Sequence, residues 1–89
     1  MSYKKKQKEK PKYFPTDYSN HKIVKQFRKH RSPRTRLFLT NDPDEWFIDV
    51  VEIKTKTGEV TDDEGWIIEK DLDTWTSWYN GLGWEEEKI

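Results

Sequence analysis

A chain in which 38% of residues are charged and only 31% are hydrophobic has few side chains from which to build a core. That balance lies close to the composition at which chains stay unfolded. The aromatic residues pull it the other way, since five Trp, four Tyr and four Phe stand among 89 residues. Each buried aromatic side chain withdraws about 150–250 Å² from water. A few of them therefore do the work of many small aliphatic residues. The length gives room for one small, marginally stable domain with a tail.

Other features narrow the class. There is no cysteine, so disulfides, thiolate metal sites and a cysteine nucleophile are excluded. A small secreted domain is usually stapled by disulfides, which favours a reducing, cytoplasmic setting. No apolar run approaches the ~20 residues of a membrane span, and no membrane partner is expected. The start, Met1-Ser2-Tyr3-Lys4-Lys5-Lys6, is basic without a following apolar stretch, unlike a signal peptide.

Charge is divided by position. Residues 1–36 carry thirteen Lys or Arg against Glu9 and Asp17, a net +11, and residues 37–89 carry four Lys against fifteen acids, a net −11. Such asymmetry points to a polyanionic partner or to a charged tail. Residues 1–18 read as a disordered basic tail. Tyr13, Phe14 and Tyr18 lie among its lysines and either stack on nucleic-acid bases or pin the tail to the domain.

Residues 20–31 read as a helix capped by Ser19 or Asn20. Ile23, Val24 and Phe27 fall on one side at helical spacing, with Lys22, Lys25 and Lys29 opposite and Arg28 flanking them. Ser32-Pro33 ends this helix. Leu37–Leu39, Trp46–Lys54 and Trp66–Ile68 read as strands. In the middle one, Trp46, Ile48 and Val50 form one set and Phe47, Val51 and Ile53 the other. Either both faces are covered or a bulge near Val50-Val51 changes the phase. Asn41–Asp44 and Thr57-Gly58 read as turns, and Val60–Gly65 as an acidic connection. Residues 71–80 read as a second helix, capped by Asp71, with Leu72, Trp75 and Tyr79 on one face.

The expected fold is α+β: a single domain in α-β-β-β-α order, a three-stranded antiparallel sheet with two helices. Its bounds are a tail over 1–18, the domain over 19–84 and an acidic tail over 85–89. This order resembles that of the double-stranded RNA-binding domain. Where that family opens its second helix with phosphate-gripping lysines, Glu69-Lys70-Asp71-Leu72-Asp73 has one cation among acids, so membership is not assigned. In composition the chain resembles bacteriophage accessory proteins.

Catalytic signatures are sparse. His21 and His30 have no Ser or Cys partner in a recognisable setting, and the acids at 42–45 and 62–64 lack the pattern of a calcium loop. No catalytic residue, metal or cofactor is expected. The leading expectation is a non-enzymatic nucleic-acid-binding module, RNA more than DNA. Its contacts would be Lys4, Lys5, Lys6, Lys12, Tyr13, Phe14, Lys22, Lys25, Arg28, Lys29, Arg31, Arg34 and Arg36. The alternative is an adaptor or inhibitor that meets a basic groove on a host or partner protein through Trp78, Trp84, Glu85 and Glu86.

Overall fold

The computed structural model describes residues 11–88. It corrects the expected architecture, because five strands and a single α-helix replace three strands and two helices. Strands β1 (Lys22–Lys29), β2 (Ser32–Asn41), β3 (Phe47–Lys54) and β4 (Val60–Ile68) form an antiparallel meander. A 3₁₀ turn (Glu69–Asp71) leads into helix α1 (Leu72–Gly81), and β5 (Trp84–Glu87) returns to pair with β1. The sheet order is β4-β3-β2-β1-β5. With the first helix gone and two strands added, the topological resemblance to the double-stranded RNA-binding domain goes too.

The segment read as the first helix is β1, and a bulge explains the misreading. Ile23 pairs with Thr40 and Lys25 with Leu39, so Val24 is an extra residue in the strand. The bulge changes the phase of alternation. Val24 and Phe27, three apart, therefore reach the same cluster, while Ile23 joins the opposite one. An apolar spacing of three imitates a helical stripe. Ser32-Pro33, expected to stop a helix, instead opens β2 after the tight turn at His30-Arg31.

Both faces of the sheet are covered. One packs Phe27, Leu37, Leu39, Ile48, Val50, Ile67 and Trp84 under α1, which contributes Leu72, Trp75 and Tyr79 as its spacing predicts. On the other face Phe38, Val51 and Ile53 meet Tyr13, Phe14, Tyr18 and Ile23. Phe14 stands edge-on to Phe38 at 5.0 Å between centroids. Tyr13, Phe14 and Tyr18 thus belong to the folded domain, inside the stretch read as tail. The first ten residues of that stretch lie outside the described residues.

Strand β3 alternates regularly, and the bulge expected at Val50-Val51 sits in its partner. Val50 pairs with Gly65 and Val51 with Asp63, which leaves an extra residue in β4. The acidic connection over 60–65 is therefore most of an edge strand. Its backbone pairs on one side only, and charged residues there discourage further strand addition. The hairpin from β3 to β4 turns at Gly58, whose φ is 74° and whose missing Cβ would lie 2.9 Å from the Tyr13 carbonyl oxygen. The missing Cβ leaves room for the N-terminal segment to pass against the hairpin. No helix among the described residues is long and apolar enough to cross a membrane.

Candidate functional site

The acidic end of the chain folds onto the basic start. In β5, Glu85 faces Arg28, Glu86 faces Phe27 and Glu87 faces Gln26. Lys25 Nζ donates to Glu86 at 2.9 Å, Arg28 donates to Glu85 at 3.3 Å, and Arg36 Nε lies 3.0 Å from Glu87. Gln26 Nε2 also donates to Glu87 at 2.7 Å. The His30 ring nitrogen lies 3.2 Å from Glu85. Hydrogen bonds from His30 first and Arg28 second hold the Glu85 carboxyl below its ordinary value. Residues 85–87, read as an acidic tail, are a strand that neutralises part of the basic half.

This pairing divides the residues proposed to grip phosphates. Lys25, Arg28 and Arg36 are engaged by glutamates. Lys29 Nζ sits 4.7 Å from the centre of the Trp84 ring, a cation–π contact. Tyr13 and Phe14 are half-buried against Phe38, and Arg36 lies over the Tyr13 ring. Those two rings serve the core, with little face left for bases. Lys22 stands exposed at the start of β1, at the end of the sheet opposite the β1–β2 and β3–β4 hairpin tips. Lys4, Lys5 and Lys6 lie outside the described residues.

The other cations near the hairpins lie at one end of the sheet, with Arg34 on the Phe38 face and Lys54 on the α1 face by strand alternation. Arg31 occupies the β1–β2 turn with φ 69°. Arg34 lies at the start of β2, where its carbonyl accepts the Thr55 amide at 2.8 Å. Lys54 and Lys56 belong to the β3–β4 hairpin, and the segment carrying Lys12 packs over Gly58 of that hairpin. All five side chains are exposed. Among the described residues, none of Lys12, Arg31, Arg34, Lys54 and Lys56 has an acid within ion-pair distance. The two hairpin tips are about 10 Å apart, two strand spacings. Lys54 and Lys56 escaped the sequence reading because they sit in the acidic half, and only strand pairing brings them beside Arg34.

The residues proposed for a protein partner are dispersed. Trp84, expected at the surface, is 4% exposed in the core beneath α1. Glu85 and Glu86 are engaged on β5, and Trp78 is exposed on α1 beside Trp75 and Tyr79. A different aromatic group is exposed instead. Trp46 is 69% and Trp66 56% exposed, and with Phe47 they form a corner whose ring centroids lie 5.3–5.6 Å apart. Trp46 also walls a cleft of about 370 Å³ with Lys22, Ile23, Val24, Asn41, Ile48 and Glu69. The signal in the sequence was the strand parity of Trp66, which points away from buried Ile67.

The histidines separate as well. His30 is a surface group, whereas His21 is buried with Nδ1 2.9 Å from Thr40 Oγ1. Asp42 and Asp49 lie 3.7 and 3.8 Å from its ring nitrogens. No group of three His, Cys, Asp or Glu among the described residues is spaced to hold a metal ion. Compared with known proteins, the chain matches no family model, and no curated protein or solved structure resembles it at a significant level.

Proposed function

We propose that this protein is a non-enzymatic nucleic-acid-binding module that reads the phosphate backbone with the hairpin end of its sheet. The observation that carries the reading is the cluster of Lys12, Arg31, Arg34, Lys54 and Lys56 at one end, free of acidic partners among the described residues. Cations already neutralised by a protein carboxylate gain little from a phosphate, whereas free ones release condensed counterions on binding. The chain enters the domain at this same end, and residues 1–10 add Lys4, Lys5, Lys6, Lys8 and Lys10. Contacts of this kind fix position on the backbone and carry no base code, so the reading predicts weak sequence preference.

The test is fluorescence anisotropy with labelled oligo(U), a single-stranded DNA of equal length and a duplex. The parent is compared with an Arg34→Gln/Lys54→Gln/Lys56→Gln variant and with Lys22→Gln/Lys70→Gln at the opposite end. The hairpin variant is expected to bind at least about tenfold more weakly, and its salt slope to be shallower by about two, at roughly 0.7 per lost contact on a single strand. The Lys22/Lys70 variant is expected to match the parent. Equal affinity of parent and hairpin variant would overturn the proposal.

A further inference from the structure

We infer that the aromatic corner formed by Trp46, Phe47 and Trp66, with the cleft beside it, docks the lysine-rich segment 1–10 of a second copy of this chain. The corner is a different surface from that of the nucleic-acid reading, whereas the segment it takes, residues 1–10, is shared with that reading. Two tryptophans more than half exposed on a chain so rich in charge form an apolar patch of the kind that marks an interaction site. The rings touch one another at 5.3–5.6 Å, which leaves no space for a cation between them. What they offer is their outer faces, on which a Lys ammonium or its methylene stem settles.

The charge around the corner selects the occupant. Asp42, Asp44, Glu45 and Glu69 stand in the turn and the 3₁₀ segment next to it, against Lys22 and Lys70. Ile23, Val24 and Ile48 give the cleft an apolar floor, with Glu69 at its side. A lysine fits this arrangement with its stem on Trp46 and Ile48 and its ammonium toward Glu69. A phosphate chain is repelled by the same acids. Residues 1–10 supply five lysines against Glu9, together with Tyr3.

Reach decides between the chain's own segment and that of a neighbour. Pro11–Tyr13 lies by Gly58, at the hairpin end, whereas Trp46 lies at the other end of β3. The eight residues of β3 span about 24 Å. Lys8 and Lys10 are too close to Pro11 to cover that distance, and Lys4–Lys6 do so only fully stretched, at about 17–25 Å. In a second copy all five lysines are available. The contact is then head to tail, the basic end of one molecule against the acidic corner of the next, in a chain whose net charge is zero.

Sedimentation velocity of the full chain, free of nucleic acid, tests this. The parent is expected to associate with rising concentration at about 50 mM salt and to be monomeric at about 500 mM, as screening predicts. Trp46→Ala/Trp66→Ala and Lys4→Glu/Lys5→Glu/Lys6→Glu are each expected to lower the association constant at least about tenfold. Circular dichroism checks that both remain folded, and Trp46 and Trp66 are exposed side chains. Mixing the two variants is expected to restore a dimer, because one retains the segment and the other the corner. A parent that stays monomeric at low salt, a Trp variant that associates like the parent, or a mixture that does not dimerise would overturn the inference. None of these results depends on nucleic-acid binding.

Discussion

The clasp between β5 and the basic strands makes a graded prediction about stability. Glu87 is the most enclosed of its acids, 28% exposed against 14% for Arg36; it accepts from Gln26 Nε2 and lies 3.0 Å from Arg36 Nε as an ion pair. Glu87→Ala removes the acceptor of Gln26 and the charge beside the enclosed Arg36 guanidinium. A hydrogen bond involving a charged group is worth about 1.5–3 kcal/mol, and partial solvent access at Glu87 brings the combined loss to about 2 kcal/mol. Glu86→Ala breaks only the more exposed pair with Lys25, a class worth about 0.2–1 kcal/mol. For a domain this size each kcal/mol moves Tm by about 4–8 °C. The expectation is a fall of about 10 °C for Glu87→Ala and about 3 °C for Glu86→Ala, followed by thermal and urea unfolding on both. Equal losses, or the reverse order, would refute the reasoning that enclosure of the pair sets its contribution.

Three further outcomes follow from single positions. Gly58→Ala and Gly83→Ala both place a Cβ at positive φ, but only the former meets another atom, the Tyr13 carbonyl oxygen at 2.9 Å. Both lose about 1 kcal/mol to backbone strain, and urea unfolding is expected to show Gly58→Ala losing clearly more. Glu85 has its folded-state pKa held below its ordinary 4.5 by His30 and Arg28. Its contribution is therefore present above that ordinary value and is lost as pH falls through the lowered one. Glu85→Gln is expected to flatten the acid limb of a stability–pH curve and to leave its shape above pH 7 unchanged. Arg31 holds φ 69° without being glycine. In Arg31→Gly, strain relief of about 1 kcal/mol is offset by greater freedom of the unfolded chain. Stability is expected to stay within about 0.5 kcal/mol while the oligo(U) salt slope becomes shallower by about 0.7.

What the sequence revealed depended on whether local pattern and tertiary pairing agreed. The spacing of Leu72, Trp75 and Tyr79 placed the packed face of α1 correctly, because a helix carries its own period. The two apolar sets of β3 were legible because both faces of that strand are buried. Strand β1 was not legible, since the bulge at Val24 turns a strand's alternation into a helix-like spacing of three. Strand β5 and the first half of β4 were hidden by their acids, which lie on edges where charge is tolerated. Lys25, Arg28 and Arg36 read as free cations because nothing local shows that Glu85, Glu86 and Glu87 fold back onto them, some sixty residues away. Trp84 read as a surface ring, and its burial under α1 reversed that.

The most direct test of the nucleic-acid reading is a map of backbone amide shifts as oligo(U) is added to isotopically labelled protein at low salt. Shifts are expected to concentrate at His30–Thr35 and Lys54–Glu59, the two hairpin tips, with α1 unmoved. Shifts centred on α1, or no shifts at all, would contradict the nucleic-acid reading.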